Sequence, residues 1–256
     1  MKIATFNTNS VRVRLPILLD WLATHQPDVL GLQEIKCEDH QFPLSDFEDI
    51  GYHAIVHGQK SYNGVALLSR APLTQVHKGM LNPGLVDDRR IVMATLDDIC
   101  IVNTYVPNGN KVGSEKWEYK MAWLENFVSL LEAARSRSKH VLWMGDINIA
   151  PAPADVYDSP KLLGQVGHHP DEFSRLARLV DLGFRDLFRQ HHTEGGHYTY
   201  WDFFIKNAVQ RKLGWRIDHL YATSALASRC TECWIDIEPR LAERPSDHTF
   251  VVASFE

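Results

Sequence analysis

The sequence predicts an α/β protein in which two β-sheets pack face to face and helices cover their outer surfaces. Many short segments are nearly continuously apolar and bounded by turn residues, which is typical of strands buried on both faces. Some of these segments are separated by helical patterns and others by tight turns, such as Leu96-Asp-Asp-Ile99. Because both kinds of connection occur, two packed sheets explain the pattern better than a simple doubly wound sheet.

The predicted strands are short runs rich in Val, Ile and Leu. In chain order they are Lys2–Asn7, Val29–Glu34, His53–His57, Gly64–Ser69, Arg90–Leu96, Cys100–Val106, Val141–Asn148, Ile217–Ala222, Cys233–Glu238 and Phe250–Phe255.

Three segments have apolar residues at helical spacing. Leu15–Thr24 carries a leucine stripe, and Ser114–Arg135 has the strongest periodicity, with Ser114 placed to cap its start. The third segment is Asp171–Leu182. We expect all three apolar faces to belong to the core.

Composition indicates an ordinary globular protein. The 256 residues are 45% hydrophobic and 23% charged, and neither a repeat nor a linker divides them. We therefore expect one domain spanning 1–256. The chain opens directly on a strand and has no apolar run near the ~20 residues of a membrane span, which predicts a cytoplasmic protein.

The formal charge of −5 argues against indiscriminate binding of nucleic acid, but it permits a local basic face. Arg216 is one of several candidate phosphate contacts, each of which is more readily explained as a solvated surface charge. Cys230 and Cys233 form a C-x-x-C pair that could be redox-active or half of a zinc site. A second pair of ligands is missing, because Cys37 and Cys100 are far apart in sequence, so two free thiols are the favoured interpretation.

Polar clusters follow several apolar strands. The clearest is Ser246-Asp247-His248, directly before the final strand. An Asp–His pair can hold one imidazole in a fixed tautomer and orientation. Asn7, Glu34 and Asp218 stand at other predicted strand ends, and such acids and amides gathered at one edge are typical of a site for metal and phosphate.

Glu34 ends the run from Asp28, and a carboxylate at the rim of a buried strand is costly unless it is paired or bound to a cation. It is either a Mg²⁺ ligand or a salt-bridge partner of Lys36. Strand alternation predicts that Asp146 and Asn148 lie on one face, where they could hold a water between them. The alternative is an Asx-type turn that closes the strand.

Two further segments carry candidate substrate contacts. Tyr105 and Asn108 follow an apolar strand and could donate to phosphate oxygens, although a strand followed by a Pro-Asn-Gly turn would look similar. The segments Tyr198-Thr-Tyr-Trp201 and Leu213–Asp218 place aromatic rings near a carboxylate. Aromatic faces can receive a sugar or base, yet such clusters are more often plain core.

Taken together, the motifs resemble the exonuclease III family of DNA-repair nucleases, also called the AP endonuclease family, within the endonuclease/exonuclease/phosphatase superfamily. They occur in family order across the chain. They are Thr5-Phe-Asn7, Leu32-Gln-Glu-Ile-Lys36, Tyr62-Asn-Gly-Val-Ala66, Asn103-Thr-Tyr-Val-Pro-Asn-Gly109, Gly145-Asp-Ile-Asn148, Gly214-Trp-Arg-Ile-Asp218 and Ser246-Asp-His248. The resemblance implies a four-layer α/β sandwich of the DNase I-like kind.

The resemblance also implies residue roles. Glu34 becomes the principal Mg²⁺ ligand, with Mn²⁺ as a possible substitute. The further candidate metal ligands are Asn7, Asp146, Asn148 and Asp247. Asp146, helped by Asn148, orients or deprotonates the attacking water.

Tyr105 and His248 are expected to contact the scissile phosphate. Asp247 is expected to orient His248, and Asp218 belongs to the same catalytic cluster. The implied substrate contacts are Asn7, Asn108 and a pocket for a flipped-out abasic sugar formed by Tyr200, Trp201, Trp215 and Ile217.

Some positions depart from the family pattern. Position 9 is Asn where some members carry an acid, and His168 and His169 replace two apolar residues in a loop beside the sugar pocket. Tyr200 stands where Phe or Trp is common.

The leading hypothesis is a Mg²⁺-dependent phosphodiesterase of base excision repair. It would cut double-stranded DNA 5′ to abasic sites and remove 3′ nucleotides or 3′ blocking groups. One alternative is a phosphodiesterase of the same fold that acts on a non-DNA substrate, and another is a non-catalytic nucleic-acid-binding protein. We expect a cytoplasmic, nucleoid-associated monomer that does not bind membranes.

Overall fold

A computed structural model describes residues 1–81 and 89–256 and contains two mixed six-stranded sheets packed face to face. The first sheet has the order β11-β12-β1-β2-β4-β3, and the second has the order β5-β6-β7-β8-β10-β9. The strands are β1 (Lys2–Asn7), β2 (Val29–Gln33), β3 (His53–His57), β4 (Val65–Ser69), β5 (Thr74–Lys78), β6 (Ile91–Leu96), β7 (Ile99–Tyr105), β8 (His140–Asp146), β9 (Phe184–Asp186), β10 (Asp218–Thr223), β11 (Cys230–Asp236) and β12 (Phe250–Phe255).

Helices cover the outer faces of both sheets and complete the four predicted layers. Helix α1 packs on the first sheet, whereas α3 and α5 pack on the second and on each other. The helices are α1 (Val11–His25), α2 (Leu44–Glu48), α3 (Glu115–Arg137), α4 (Ser159–Leu162), α5 (Pro170–Asp181), α6 (Leu187–His191), α7 (Ser224–Ala227) and α8 (Glu238–Leu241). Asp39–Gln41 and Pro153–Asp155 are 3₁₀ turns.

A buried hydrogen-bonded group crosses the largely apolar interior between the sheets. Gln33 Nε2 donates to Thr5 Oγ1 and to Asn103 Oδ1, and Asn103 Nδ2 donates to the carbonyls of Leu32 and Ala66. These bonds join β1, β2 and β4 of one sheet to β7 of the other. They fix the relative position of the two sheets close to the edge where the polar strand ends lie.

The predicted architecture is confirmed, and three strands have the predicted bounds. The Leu96-Asp-Asp-Ile99 hairpin is also confirmed, since Leu96 pairs with Ile99. Sequence patterns missed β5 and β9. Strand β5 is an exposed edge strand with little apolar signal, and β9 has only three residues.

Two other expectations have structural outcomes. Within the described parts of the chain, no helix is long and apolar enough to cross a membrane. All four cysteines are free and buried, and burial raises the pKa of the Cys230 thiol to about 11. The interpretation of Cys230 and Cys233 as inert thiols therefore agrees with the structure.

Candidate active site

The polar strand ends meet at one edge of the two packed sheets, around the side chain of Asn7. Asn7 is the last residue of β1, and its Nδ2 donates to Glu34 Oε1 (2.9 Å) and to Asp146 Oδ2 (2.8 Å). Glu34 follows β2 of the same sheet, whereas Asp146 ends β8 of the opposite sheet. One buried amide therefore ties together carboxylates from both sheets.

Glu34 forms the predicted salt bridge and also faces Asp146. Its Oε2 lies 2.8 Å from Lys36 Nζ, which is the predicted salt bridge. Its Oε1 accepts from Asn7 Nδ2, which also donates to Asp146. Burial raises the pKa of Glu34, but Lys36 and Asn7 outweigh burial and lower it overall. The backbone of Glu34 is left-handed, with φ 47°, as is that of Lys36 with φ 52°. Such strain is typical of functional sites held in place by surrounding structure.

Asp146 is held at both carboxylate oxygens. The backbone N–H of Asn148 donates to its Oδ1 (2.9 Å), while Asn7 occupies its Oδ2. The predicted strand through Asn148 is wrong, because β8 ends at Asp146 and Asn148 has a left-handed φ of 53°. The Asx-type turn is thus real, and it presents Asp146 to the site. The Asn148 side chain instead accepts a hydrogen bond from Asn108 Nδ2 (2.9 Å).

His248 lies between two carboxylates. Its Nδ1 is 2.8 Å from Asp218 Oδ2, and its Nε2 is 3.8 Å from Asp146 Oδ2. The expectation that Asp247 orients His248 is wrong, since Asp247 Oδ1 instead accepts from Asn9 Nδ2 (3.0 Å). Neighbouring side chains on an extended backbone point to opposite sides, so Asp247 and His248 face different groups.

This arrangement sets the charge state of the centre. Burial raises the pKa of Asp146 to about 7, with Asp218 and Glu34 adding to the increase. Burial alone would lower the pKa of His248, but Asp218 and Asp146 outweigh it and raise that pKa to about 10. His248 is therefore a cation at neutral pH, while the Asp146 carboxyl group titrates near neutrality.

Tyr105 ends β7 beside these groups. It forms a hydrogen bond with Glu34, and burial together with Glu34 and Asp146 holds its pKa well above 10. The Arg90 guanidinium lies over its ring at 4.7 Å from the centroid. Tyr105 therefore stays a neutral hydroxyl donor throughout the physiological range.

The centre opens into a groove of about 740 Å³. One end is polar and contains Glu34 and Asp146, whereas the other is lined by Leu162, Trp215 and Ile217. The Tyr200 ring packs against His248 with a centroid distance of 4.9 Å and joins the two ends. Asn108 also lines the groove.

Trp201 does not line this groove, so its expected place in the sugar pocket is wrong. It packs behind the pocket with Tyr198 and Ala208, and it is only 4% exposed. Here too the cause is alternation, because Tyr200 and Trp201 point to opposite sides of one extended segment. Trp201 contributes through its backbone N–H, which donates to Asp247 O (2.9 Å).

The two unusual histidines are structural. His168 is buried, with Nδ1 2.6 Å from Ala150 O and Nε2 2.8 Å from Ser159 Oγ. His169 caps helix α5 by accepting from the Asp171 N–H. Both side chains are therefore engaged in holding the wall of the pocket.

Sequence patterns missed two residues that position the site. Lys120 is fully buried, and its Nζ donates to the Asn148 and Asn108 carbonyls and to Glu172. A lysine on the apolar face of α3, next to Met121, was the available signal. Thr199 Oγ1 accepts from the N–H groups of Ile217 and Asp218, and it had no sequence signal.

The described residues include one cluster at this site that could hold a cation. Ligand atoms of Glu34, Asp146 and His248 lie within 4.8 Å of one another. Asn7 directs its amide nitrogen, not its oxygen, toward the carboxylates. The oxygen of Asn148 accepts from Asn108, and Asp247 is paired with Asn9. In this structure Asn7, Asn148 and Asp247 therefore form hydrogen bonds with neighbouring side chains around the cluster of Glu34, Asp146 and His248.

Arg216 is neither a phosphate contact nor a solvated charge. It is 1% exposed, and its guanidinium donates to Asp155 Oδ1 (2.7 Å) and Asp186 Oδ2 (2.7 Å). These contacts lie behind the pocket residues Trp215 and Ile217. A buried ion pair therefore supports the apolar end of the groove.

Comparison with known proteins agrees with this geometry. The profile of the Endonuclease/Exonuclease/phosphatase family matches residues 4–248. Exodeoxyribonuclease III of Haemophilus influenzae is 33% identical over the full length of both chains. The DNA repair nuclease APEX1 of Danio rerio is 30% identical over 88% of this chain and 74% of its own length.

Solved structures show the same relationship. The 3′ phosphatase NExo from Neisseria, in its D146N form bound to a product DNA hairpin, superimposes with a TM-score of 0.98 at 39% identity, covering 100% of this chain and 99% of that one. An AP endonuclease from Archaeoglobus fulgidus gives a TM-score of 0.96 at 43% identity with the same coverage. The chain belongs to the endonuclease/exonuclease/phosphatase family, in the branch that contains exodeoxyribonuclease III and the AP endonucleases.

Proposed function

We propose that this protein is a Mg²⁺-dependent phosphodiesterase of DNA base excision repair. It cuts duplex DNA 5′ to abasic sites and removes 3′ nucleotides or 3′ blocking groups. The observation that carries the proposal is the row Asp146–His248–Asp218, which opens onto a groove with one polar and one apolar end. The same row argues against a non-catalytic binding protein, because perturbed titratable groups that open onto a groove are typical of catalytic sites.

Asp146 is the group that accepts the proton of the attacking water. Its two oxygens are fixed by Asn7 and by the Asn148 N–H, so its position is set before substrate arrives. Burial raises the pKa of Asp146 toward the range that suits a general base acting near neutral pH.

His248 and Tyr105 are the donors to the scissile phosphate. The Nε2–H of His248 faces the groove because Asp218 occupies Nδ1, and the imidazolium charge offsets the negative charge that develops on the phosphate. Tyr105 adds a neutral hydroxyl beside Glu34. Fixed donors of this kind act without reorganisation during the reaction.

The donor set suits Mg²⁺. Four carboxylates, those of Glu34, Asp146, Asp218 and Asp247, surround the centre, and His248 and Lys36 supply cations beside them. Glu34 and Asp146 would hold the metal through oxygen atoms, the ligands that Mg²⁺ prefers. When bound, the ion supplies neutralisation of the phosphate and of the leaving 3′ oxygen.

The apolar end of the groove fits a sugar that lacks its base. Leu162 and Ile217 offer no donors or acceptors for a base edge, and Trp215 adds a large aromatic surface. Flipping a nucleotide out of the duplex costs a few kcal/mol and is easiest where there is no base to unpair. The pocket therefore favours abasic sites.

We also propose that the whole chain acts as one domain and as a monomer, because both sheets contribute to one site that must remain open to a duplex. Its DNA substrate places it in the cytoplasm, associated with the nucleoid.

An end-labelled duplex with one abasic-site analogue and a recessed 3′ end tests the proposal. We expect incision 5′ to the lesion and 3′ trimming in Mg²⁺, and loss of both in EDTA or in Asp146→Asn. Asp20→Asn, at an exposed position of α1, is the matched acid-to-amide control and should cut normally. Trimming without incision would refute the abasic-site assignment, and no cleavage would refute the nuclease assignment.

A further inference from the structure

A second group of metal-binding side chains lies outside the proposed active site, in the loop after α6. It consists of His192, Glu194 and His197, which we name the loop cluster. One ligand atom from each of these residues lies within 4.8 Å of the other two. The mechanism above makes no use of them.

Distances in the loop cluster are close to those of a metal site. His197 Nε2 is 3.0 Å and His192 Nδ1 is 3.8 Å from Glu194 Oε1. Zinc bound at about 2.0–2.1 Å in tetrahedral geometry places its ligand atoms about 3.3 Å apart. The two distances to Glu194 therefore differ from that spacing by about half an ångström or less, and the ligand atoms of the two histidines lie within 4.8 Å of each other.

The orientation of His192 is an independent observation. Its Nε2 lies 2.9 Å from the backbone carbonyl oxygen of Cys233, which can only accept a hydrogen bond, so Nε2 carries the proton. In the neutral ring Nδ1 is then an unprotonated lone pair directed at Glu194. Metal-binding histidines are typically fixed in this way, with the second ring nitrogen donating to a carbonyl or carboxylate.

The loop is also held firmly from below. Phe188 stacks on His192 with a centroid distance of 4.5 Å and meets His197 edge-on at 5.4 Å. Arg189 Nη1 donates to the carbonyls of His192 (3.1 Å) and Glu194 (2.6 Å). The charge of Arg189 is offset by its bond to Asp155. A cluster preorganised in this way loses little entropy when it binds an ion.

We propose that His192, Glu194 and His197 form a Zn²⁺ site with three protein ligands and an open fourth position. Two imidazoles and one carboxylate suit zinc, whereas Mg²⁺ prefers an all-oxygen site. The side chains are 32%, 62% and 38% exposed, so the ion can enter from solvent. Since the loop leads directly into Tyr198 and Thr199, bound zinc would stabilise the segment that carries Tyr200 into the groove.

Zn²⁺ titration in the presence of excess Mg²⁺ tests the proposal, because Mg²⁺ occupies the oxygen-rich centre at Glu34 and Asp146. We expect one high-affinity Zn²⁺ per chain, measured by competition with a fluorescent chelator. His197→Ala and the milder Glu194→Gln should weaken that affinity by more than about tenfold, since loss of even a second-shell partner costs that much. Zn²⁺ should raise the melting temperature of the wild type but not of His197→Ala.

His191→Ala is the matched control, because His191 is exposed and lies next to His192 outside the cluster. It should bind Zn²⁺ like the wild type. Co²⁺ substitution should give visible bands of a four-coordinate ion without thiolate charge transfer, which excludes Cys230 and Cys233 as ligands. Equal Zn²⁺ affinity in wild type and His197→Ala, equal losses in His191→Ala and His197→Ala, or a thiolate band would each overturn the proposal. None of these results depends on nuclease activity.

Discussion

The active centre and the loop cluster both combine histidines with carboxylates, and they differ mainly in depth. At the strand ends, His248 is 4% exposed between Asp146 and Asp218, which are 2% and 0% exposed. In the loop cluster, His192 and His197 are 32% and 38% exposed around the solvated Glu194. Burial between two acids holds a proton on the first imidazole, whereas the second group gathers two imidazole nitrogens around one carboxylate near the surface. The same residue types thus suit phosphate binding at the centre around His248 and metal binding in the loop cluster.

One ion-pair network connects the two regions. Asp155 accepts from Arg216, behind the pocket, and from Arg189, beneath the loop cluster. The network lowers the pKa of Asp155 against the effect of burial, chiefly through Arg216. The buried site and the exposed loop therefore share a rigid support, although their chemistry differs.

The largest effect on the buried side is expected from Asp146→Asn. Removing the proton acceptor while keeping its shape should lower the single-turnover cleavage rate by about 10³–10⁴-fold. Rapid-quench kinetics on an abasic duplex in Mg²⁺ would measure it, with Asp20→Asn as control. A loss smaller than about tenfold would mean that another group activates the water.

Arg216→Met tests the shared support. It leaves Asp155 and Asp186 buried without their main cationic partner, so we expect a loss of about 3–5 kcal/mol in the free energy of unfolding. Urea denaturation would measure it, and Lys161→Met, which breaks the exposed pair with Asp158, should leave stability unchanged. Equal midpoints for the two variants would show that the network does not support the fold.

The buried cluster should also make the metal-free protein sensitive to alkaline pH. The pKa of His248 is raised from 6.5 to about 10 on folding, so its stabilising contribution is complete below pH 6.5 and is lost as the pH rises toward 10. The pKa of Asp146 is raised to about 7, so this group also binds its proton more tightly in the folded state. It therefore adds to the loss of stability as the pH rises to about 7. Urea midpoints in EDTA should fall from pH 6.5 to 9.5. A flat profile, or an equal slope in His248→Gln, would contradict this assignment.

The smallest effect is expected from the loop cluster. Without Zn²⁺, His197→Ala should change the Mg²⁺-dependent cleavage rate by no more than about twofold, because distant sites without shared ligands act independently. Steady-state kinetics on the abasic duplex would check this. A tenfold loss would mean that His197 supports Tyr200 without any metal.

Sequence patterns predicted the frame of this molecule well, because buried strands and amphipathic helices carry strong apolar signals. The strand ends at Asn7 and Glu34 were found for the same reason. The sequence did not predict which of two adjacent side chains faces the site. It favours Asp247 over Asp218 as the partner that orients His248, and it favours Trp201 as a groove residue alongside Tyr200. Adjacent side chains of an extended segment point to opposite sides, and the tertiary structure decides which of the two faces the site. The burial of Lys120 and Arg216 could not be predicted, because the acidic partners of both residues are remote in sequence.

The most direct test of the central claim compares Asp218→Asn, which changes the observed partner of His248, with Asp247→Asn, which makes the same kind of change at its neighbour in sequence. If Asp218 holds the imidazole, Asp218→Asn should lower the single-turnover cleavage rate by about 10²-fold or more and shift the alkaline limb of its pH profile downward. Asp247→Asn should cost less than about tenfold and leave that limb in place. The opposite order, with the larger loss and the shifted limb in Asp247→Asn, would contradict the account.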